Sequence, residues 1–203
     1  CEVATLSRIL ADYPTASGWK IGQADLFADD YIAARSKISN VIICNPPFES
    51  FTAEERVRYP EALKRSAAKP IAVLNAVLDA KPLAIGFVLP EPFIRGKQYA
   101  AQRRRIEQMY AEVELVSLPD RTFNASVIRS SLLIARAPRD PAAEPASTSI
   151  RCAVVSERER DAFLSTGQLN VVREQTRPFA GTGDLWIEEL ADVWSYLQSA
   201  GTL

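Results

Sequence analysis

Histidine is absent from all 203 residues. Its absence excludes Ser-His-Asp and Cys-His nucleophilic catalysis, HExxH zinc sites and any histidine general base. Whatever chemistry occurs must run on backbone, amide, carboxylate, hydroxyl or aromatic groups. Cysteine is scarce: Cys1, Cys44 and Cys152 are far apart, odd in number and form no CxxC pair. Neither a zinc ribbon nor a disulfide framework is indicated, no metal is expected, and a reducing cytoplasm is the expected compartment. Charge of one sign is also lacking, with 24 Lys and Arg against 25 Asp and Glu. The net charge of −1 excludes a histone-like or tail-like nucleic-acid binder and leaves room only for local basic patches. No run of about 18 apolar residues occurs, so no membrane span is expected, and no signal peptide opens the chain. The first residue is Cys1, and CEVATLSRILADYP reads as starting inside a helix, so the expectation is part of a longer polypeptide.

What is present is enough apolar residue, 47%, for one good core with an appendage. Val3, Leu6, Ile9 and Leu10 have helical spacing, and WKIGQADLF reads as a short strand ending near Asp25. The run VIIC, 41 to 44, is apolar on both faces, as in central strands of a covered sheet. Helices are expected at 53–59 and 70–80, with Pro70 suited to a first turn. LAIGFVLP, 83 to 90, is a second buried strand, and RGKQYAAQRRRIEQMYAE a helix. VELVSLP and RSSLLIARAP are the next strands, and the short loop DRTFNASVI between them suits an antiparallel pair. Strand–helix alternation implies an α/β sandwich with a mainly parallel sheet. Proline, alanine and serine dominate 139–149, an expected linker that divides residues 1–138 from a C-terminal extension, 150–203. In the extension, IRCAVVS and NVVRE read as strands, the latter at an edge. Between them a helix starts at a Ser156–Glu159 capping box and ends at Gly167. A last helix, 185 to 197, carries Trp186, Leu190, Val193, Trp194 and Leu197 on one face.

Chemistry concentrates at Asn45-Pro46-Pro47-Phe48, where the VIIC strand stops. The prolines fix φ and carry no N–H, so the local carbonyls are not drawn into an ordinary turn. The Asn45 carboxamide oxygen and the Pro46 carbonyl are left side by side as acceptors. An exocyclic NH₂ group is their natural partner, and Phe48 offers a face for its ring, a contact worth roughly 1–3 kcal/mol for a base. A rigid strand-to-helix turn without a ligand is the alternative reading of the same four residues. Position favours the ligand, because open α/β sheets bind at the carboxyl ends of strands.

NPPF after VIIC resembles the catalytic motif of the amino-group DNA methyltransferases, which use S-adenosylmethionine to methylate adenine N6. Methyltransferases acting on protein glutamine or RNA guanine share the tetrapeptide. GFVLPEPFI, RRRIE, LVSLPDRTF and SSLLIA resemble, in order and spacing, the second half of the catalytic domain of restriction–modification adenine methyltransferases. GWKIGQADLF resembles the strand whose terminal acid contacts the cofactor's adenosine, so the resemblance covers roughly residues 1–138. It implies a class I methyltransferase, Rossmann-like, three-layer α/β sandwich with a short α+β C-terminal extension. It further implies that Asn45 and Pro46 accept from the target amine, that Pro47 shapes the cofactor's methyl side, and that Phe48 stacks on an extruded base. Asp25 would accept from the cofactor's adenine amino group, with Leu26 and Phe27 lining that ring and Asn45 also near the cofactor. Phe123 would be a second plate against the base, an ordinary core phenylalanine being the alternative. Lys97 and Arg121 would contact DNA phosphates. Arg103, Arg104 and Arg105 read first as a solvated helix face. DNA and a specificity or recognition domain or subunit are the implied partners.

Two family features are missing from these residues: the FxGxG cofactor loop after the first strand, and the ribose-binding acid after the second. The resemblance places those two strands mid-sheet, between KIGQAD and VIIC. The expectation is that S-adenosylmethionine binds tightly only when another segment or chain supplies that part. A catalytically silent nucleic-acid-binding or assembly subunit on the same scaffold is the competing reading.

Overall fold

The chain's computed structural model describes residues 22–28, 31–120, 122, 129–140, 142–144 and 146–187. Helix α1 (Tyr31–Lys37) leads into β1 (Val41–Cys44), then α2 (Ala53–Arg58), α3 (Pro60–Arg65) and α4 (Lys69–Asp79). Strand β2 (Ala84–Pro90) follows, with two single 3₁₀ turns, Glu91–Phe93 and Lys97–Tyr99, before α5 (Ala100–Met109). The remainder is β3 (Tyr110–Ser117), β4 (Ser130–Pro138), β5 (Ser147–Val154), α6 (Arg160–Thr166) and β6 (Val172–Pro178).

Local chemistry explains most boundaries. Thr52 caps α2, its hydroxyl accepting from Glu55 N–H while the Glu55 carboxylate accepts from Thr52 N–H. Pro60 opens α3 and Pro70 lies in the first turn of α4, where a missing N–H costs no helix bond. Gly167 ends α6 in the left-handed region at φ 67°, which a side chain would strain. Glu159 reaches back to Ser156 N–H at 3.0 Å, so that half of the expected capping box is made.

One six-stranded sheet results, in the order β1-β2-β4-β3-β5-β6. Strands β1, β2, β3 and β5 run one way, and β4 and β6 run against them. The antiparallel relation of β3 and β4 follows from their short connection, since a parallel pair needs a long crossover. The β5–α6–β6 segment, beyond the Pro/Ala/Ser stretch, extends this same sheet, with β6 at its edge as expected. One sheet face packs on α4 and α5: Ile71, Leu74, Leu78 and Ile106 meet Ile85, Phe87, Leu89, Leu115, Leu133 and Ile150. On the other face, α6 covers the β3–β5 end through Phe163, beside Val116 and Ala153.

Several expectations need correction. The sheet is mixed rather than mainly parallel, three of its five strand pairings being antiparallel. VIIC is an edge strand among the described residues rather than a central one, with Val41 60% and Ile43 86% exposed. Its burial was read from composition, but burial needs a second neighbour and a covering layer, and no described residue provides either for that face. Across the sheet, Ile43 aligns with Gly86, Ile134, Glu114, Arg151 and Glu174, so this open face grades from apolar to ion-paired. Residues 22–25 do not form a strand; they are exposed and join no described strand. Of the expected C-terminal helix, residues 185–187 are non-helical and the rest lies outside the described residues, as does the helix expected at 2–11. No described helix is long and apolar enough to cross a membrane.

Candidate functional site

Asn45 follows the last residue of β1, at the carboxyl end of the parallel β1–β2 pair. Its carboxamide is exposed and bonds to no described residue, while Pro46 is buried, Pro47 exposed and Phe48 half-buried. Burial of Pro46 anchors the corner and leaves the Asn45 head free, which suits a pair of acceptors awaiting a donor. The Phe48 ring stacks on no described aromatic side chain.

The loop leaving the corner is held from the start of α4. Lys69 N–H donates to Glu49 O at 3.0 Å, Phe51 N–H donates to Ala67 O at 3.2 Å, and Ser50 bridges Ala68. The buried Lys69 ammonium lies 2.8 Å from Glu55 and 3.1 Å from Glu49, and 5.9 Å from the Phe51 ring centroid. Its hydrogen bond to Glu55 raises the lysine pKa and lowers that of the carboxyl. Nothing in the spacing of Glu49, Glu55 and Lys69 marked this clamp, because Lys69 sits where a helix surface residue is expected.

Asp25 sits on the turn before α1. Its Oδ1 accepts from Phe27 N–H at 3.1 Å, and its Oδ2 accepts from Tyr59 O–H at 2.5 Å and from the Arg58 guanidinium at 3.1 Å. The Tyr59 hydrogen bond is the main cause of an Asp25 pKa below the ordinary carboxylate range. Phe27 meets Phe51 edge-on at 4.8 Å and Tyr59 at 5.8 Å. Leu26 and Phe27 thus pack inward on α1, α3 and α4, around a hollow of about 20 Å³ that holds no more than a water.

Lys97 is exposed on the turn that leaves β2, at the same end of the sheet as the corner. Arg121 and Phe123 lie outside the described residues. The feet of their loop are fixed there too. Arg129 pairs with both Asp120 oxygens, Nη2 at 3.2 Å and Nε at 2.5 Å, and Arg129 O accepts from Glu91 N–H at 2.8 Å. Thr122 O–H donates to Pro119 O at 2.7 Å, and Asp120 N–H to Glu157.

The arginine triplet is only in part a solvated face: Arg104 is exposed, Arg105 half-buried and Arg103 buried. Arg103 is buried and donates to Phe93 O, Gly96 O and Gly183 O at 2.8–2.9 Å. Arg104 donates to Thr182 O, and Arg105 pairs with Asp79 at 2.7 Å. Gly183, at φ 71°, makes the approach possible, since a Cβ there would stand 2.5 Å from Arg104 N. Charge count alone assigned these side chains to solvent, whereas loop carbonyls from two distant segments need donors. Trp186 is buried, with the Arg95 and Arg173 guanidiniums 5.3 and 5.4 Å from its ring centroid, and Trp194 lies outside the described residues. Among the described residues no group of three metal-binding side chains comes together.

No family model and no curated protein sequence matches the chain. Solved structures do match its fold. The DrdV–DNA complex gives a TM-score of 0.51 at 18% identity, over 75% of this chain and 19% of that one. A nuclease-deletion mutant of the Type ISP restriction-modification enzyme LlaGI, in complex with a DNA substrate mimic, gives 0.52 at 13% identity, over 77% and 19%. The ATP-dependent Type ISP restriction-modification enzyme LlaBIII, bound to DNA, gives 0.50 at 12% identity, over 87% and 15%. The chain spans under a fifth of the length of each, and at these identities the likeness is one of fold.

Proposed function

We propose that this chain carries the amine-binding half of a DNA methyltransferase that transfers a methyl group from S-adenosylmethionine to adenine N6. The observation that carries the reading is the corner: an unengaged Asn45 carboxamide on a buried Pro46, at the carboxyl end of a parallel strand pair. The shared fold with restriction-modification enzymes bound to DNA supports the substrate class. Asn45 Oδ1 and Pro46 O accept the two hydrogens of the target amine, which leaves the nitrogen lone pair facing away from both. Phe48 stacks on the base, which must leave the duplex to reach the corner. Lys97 and Arg121 take backbone phosphates, and Phe123 closes on the second face of the base.

Asp25 fits the adenine end of the cofactor, because its carboxylate is ionised and its side chain remains 34% exposed. The inward packing of Leu26 and Phe27 gives that ring an edge to rest on rather than a slot. Pro47 lies on the methyl side, and the remaining cofactor contacts come from outside the described residues. When bound, S-adenosylmethionine supplies an electrophilic methyl group. No general base is required of the chain, since the neutral amine attacks before it loses a proton. The work left to these residues is orientation and proximity.

The test is methyl transfer from labelled cofactor to duplex DNA by the native protein, with product identified by mass spectrometry. Label should appear as N6-methyladenine and disappear with Asn45→Ala. Unchanged transfer by that variant, or label on cytosine, sinks the reading.

A further inference from the structure

Tyr59 is a buried residue whose hydroxyl has one partner among the described residues, and that partner is Asp25. From the geometry we infer that Tyr59 is a positioning residue: it fixes the Asp25 carboxylate so that one open lone pair faces a ligand amine, in register with the corner. This rests on the reading of Asp25 given above and adds the group that makes it work.

The hydrogen-bond inventory supports an open position. A carboxylate offers about four acceptor sites. Oδ2 takes two donors, Tyr59 O–H and Arg58, while Oδ1 takes a hydrogen bond from Phe27 N–H, with Ala28 N–H also turned toward the carboxylate. An approach to Oδ1 stays open, since the side chain is still a third exposed. Without Tyr59 the carboxylate could rotate toward Arg58, which is itself largely exposed and no fixed support.

Tyr59 also connects two half-sites. Its ring lies 6.4 Å from Phe51 and 5.8 Å from Phe27, and Phe27 and Phe51 touch edge-on. Phe51 is three residues past Phe48, in the loop that Lys69 clamps through Glu49. The turn bearing Asp25 and the loop bearing the corner therefore share one aromatic packing unit. Because Tyr59 is buried in that unit, its hydroxyl is a fixed support, and a ligand does not have to displace it.

The groups facing Asp25 are Arg58 and Tyr59 from the α2–α3 junction and the Phe27 and Ala28 N–H groups of its own turn. Glu55 and Lys69 stand behind Tyr59 and Phe51. Tyr59 is the largest cause of the lowered Asp25 pKa, so its hydroxyl also extends the ionised range of the acceptor toward acid. Sign follows directly: a depressed folded pKa keeps the carboxylate available at lower pH, and losing the hydroxyl returns it toward the ordinary range.

The experiment measures binding of adenosine and of purine riboside, which lacks the 6-amino group, to the native protein as a function of pH. Wild type should prefer adenosine by about tenfold, the value of one charge-assisted hydrogen bond. Tyr59→Phe, which keeps the ring packing, should lose most of this preference and move the acid limb of adenosine binding to higher pH. Wild-type preference with an unchanged Tyr59→Phe preference and pH profile overturns the inference alone. Absence of preference in wild type, or full preference in Asp25→Asn, overturns the reading of Asp25 beneath it. If Tyr59→Phe does not fold, Arg58→Ala decides: it removes the exposed partner and keeps Tyr59, so the adenosine preference should stay near wild type. Loss of the preference in Arg58→Ala would assign the support to Arg58 and refute the role of Tyr59.

Discussion

Replacing Arg103 by methionine removes a buried cation while keeping most of its apolar stem. In the folded chain the guanidinium is 7% exposed and donates to Phe93 O at 2.8 Å, Gly96 O at 2.9 Å and Gly183 O at 2.9 Å. Phe93 O and Gly183 O would lose their donor, while Gly96 O keeps Tyr99 N–H at 3.1 Å. A buried acceptor left unpaired costs about 1–3 kcal/mol. Against it stands the relief of a desolvated charge, which also lowers the Arg103 pKa. A net loss of about 2–4 kcal/mol is expected. Urea unfolding followed by circular dichroism measures it as a fall in midpoint at constant slope. Arg103→Lys should recover less than half, because one ammonium cannot span carbonyls on both sides of a planar fork. A loss below about 0.5 kcal/mol for Arg103→Met would refute the reasoning, since that is the level of a neutral surface change.

Two further tests address the edge strand and the second half of the sheet. Ile43→Lys should leave chemical stability within about 0.5 kcal/mol of wild type, whereas Leu133→Ala, in the core, should cost about 2–5 kcal/mol. Equal losses at the two positions would mean that Ile43 is covered. Glu159, held by Ser156 and Asn170, has its pKa lowered to about 2, so its contribution to stability is present above the ordinary glutamate range and lost as pH falls toward 2. Carboxyl resonances followed through an acid titration should place it there and should move upward in Ser156→Ala. An ordinary midpoint in wild type would remove the Ser156 and Asn170 contacts from the account.

Elements with a strong local cause were legible. VELVSLP and RSSLLIARAP became an antiparallel pair because their connection is too short for a crossover, and Gly167 ends its helix where the left-handed turn demands it. Pro46 and Phe48 lie at a strand's carboxyl end, as the abrupt NPPF boundary implied. Three features were not legible for a common reason: each depends on a partner distant in sequence. Arg103 looked solvated until the Gly183 carbonyl, eighty residues away, needed it. VIIC looked buried until its neighbours could be counted. Tyr59 and Asp25, thirty-four residues apart, share no spacing that a sequence pattern would detect.

The sequence by itself determined the α/β class, the stiff Asn45–Phe48 corner and the exclusion of histidine chemistry, because each follows from residue type and short-range order. Only the tertiary structure decided which face of β1 is open, that Arg103 and Arg104 serve loop carbonyls, and that Tyr59 holds Asp25 beside the aromatic unit of the corner loop. Those outcomes rest on burial and on hydrogen bonds between remote segments. A side chain acquires such partners only when the sheet order brings them together.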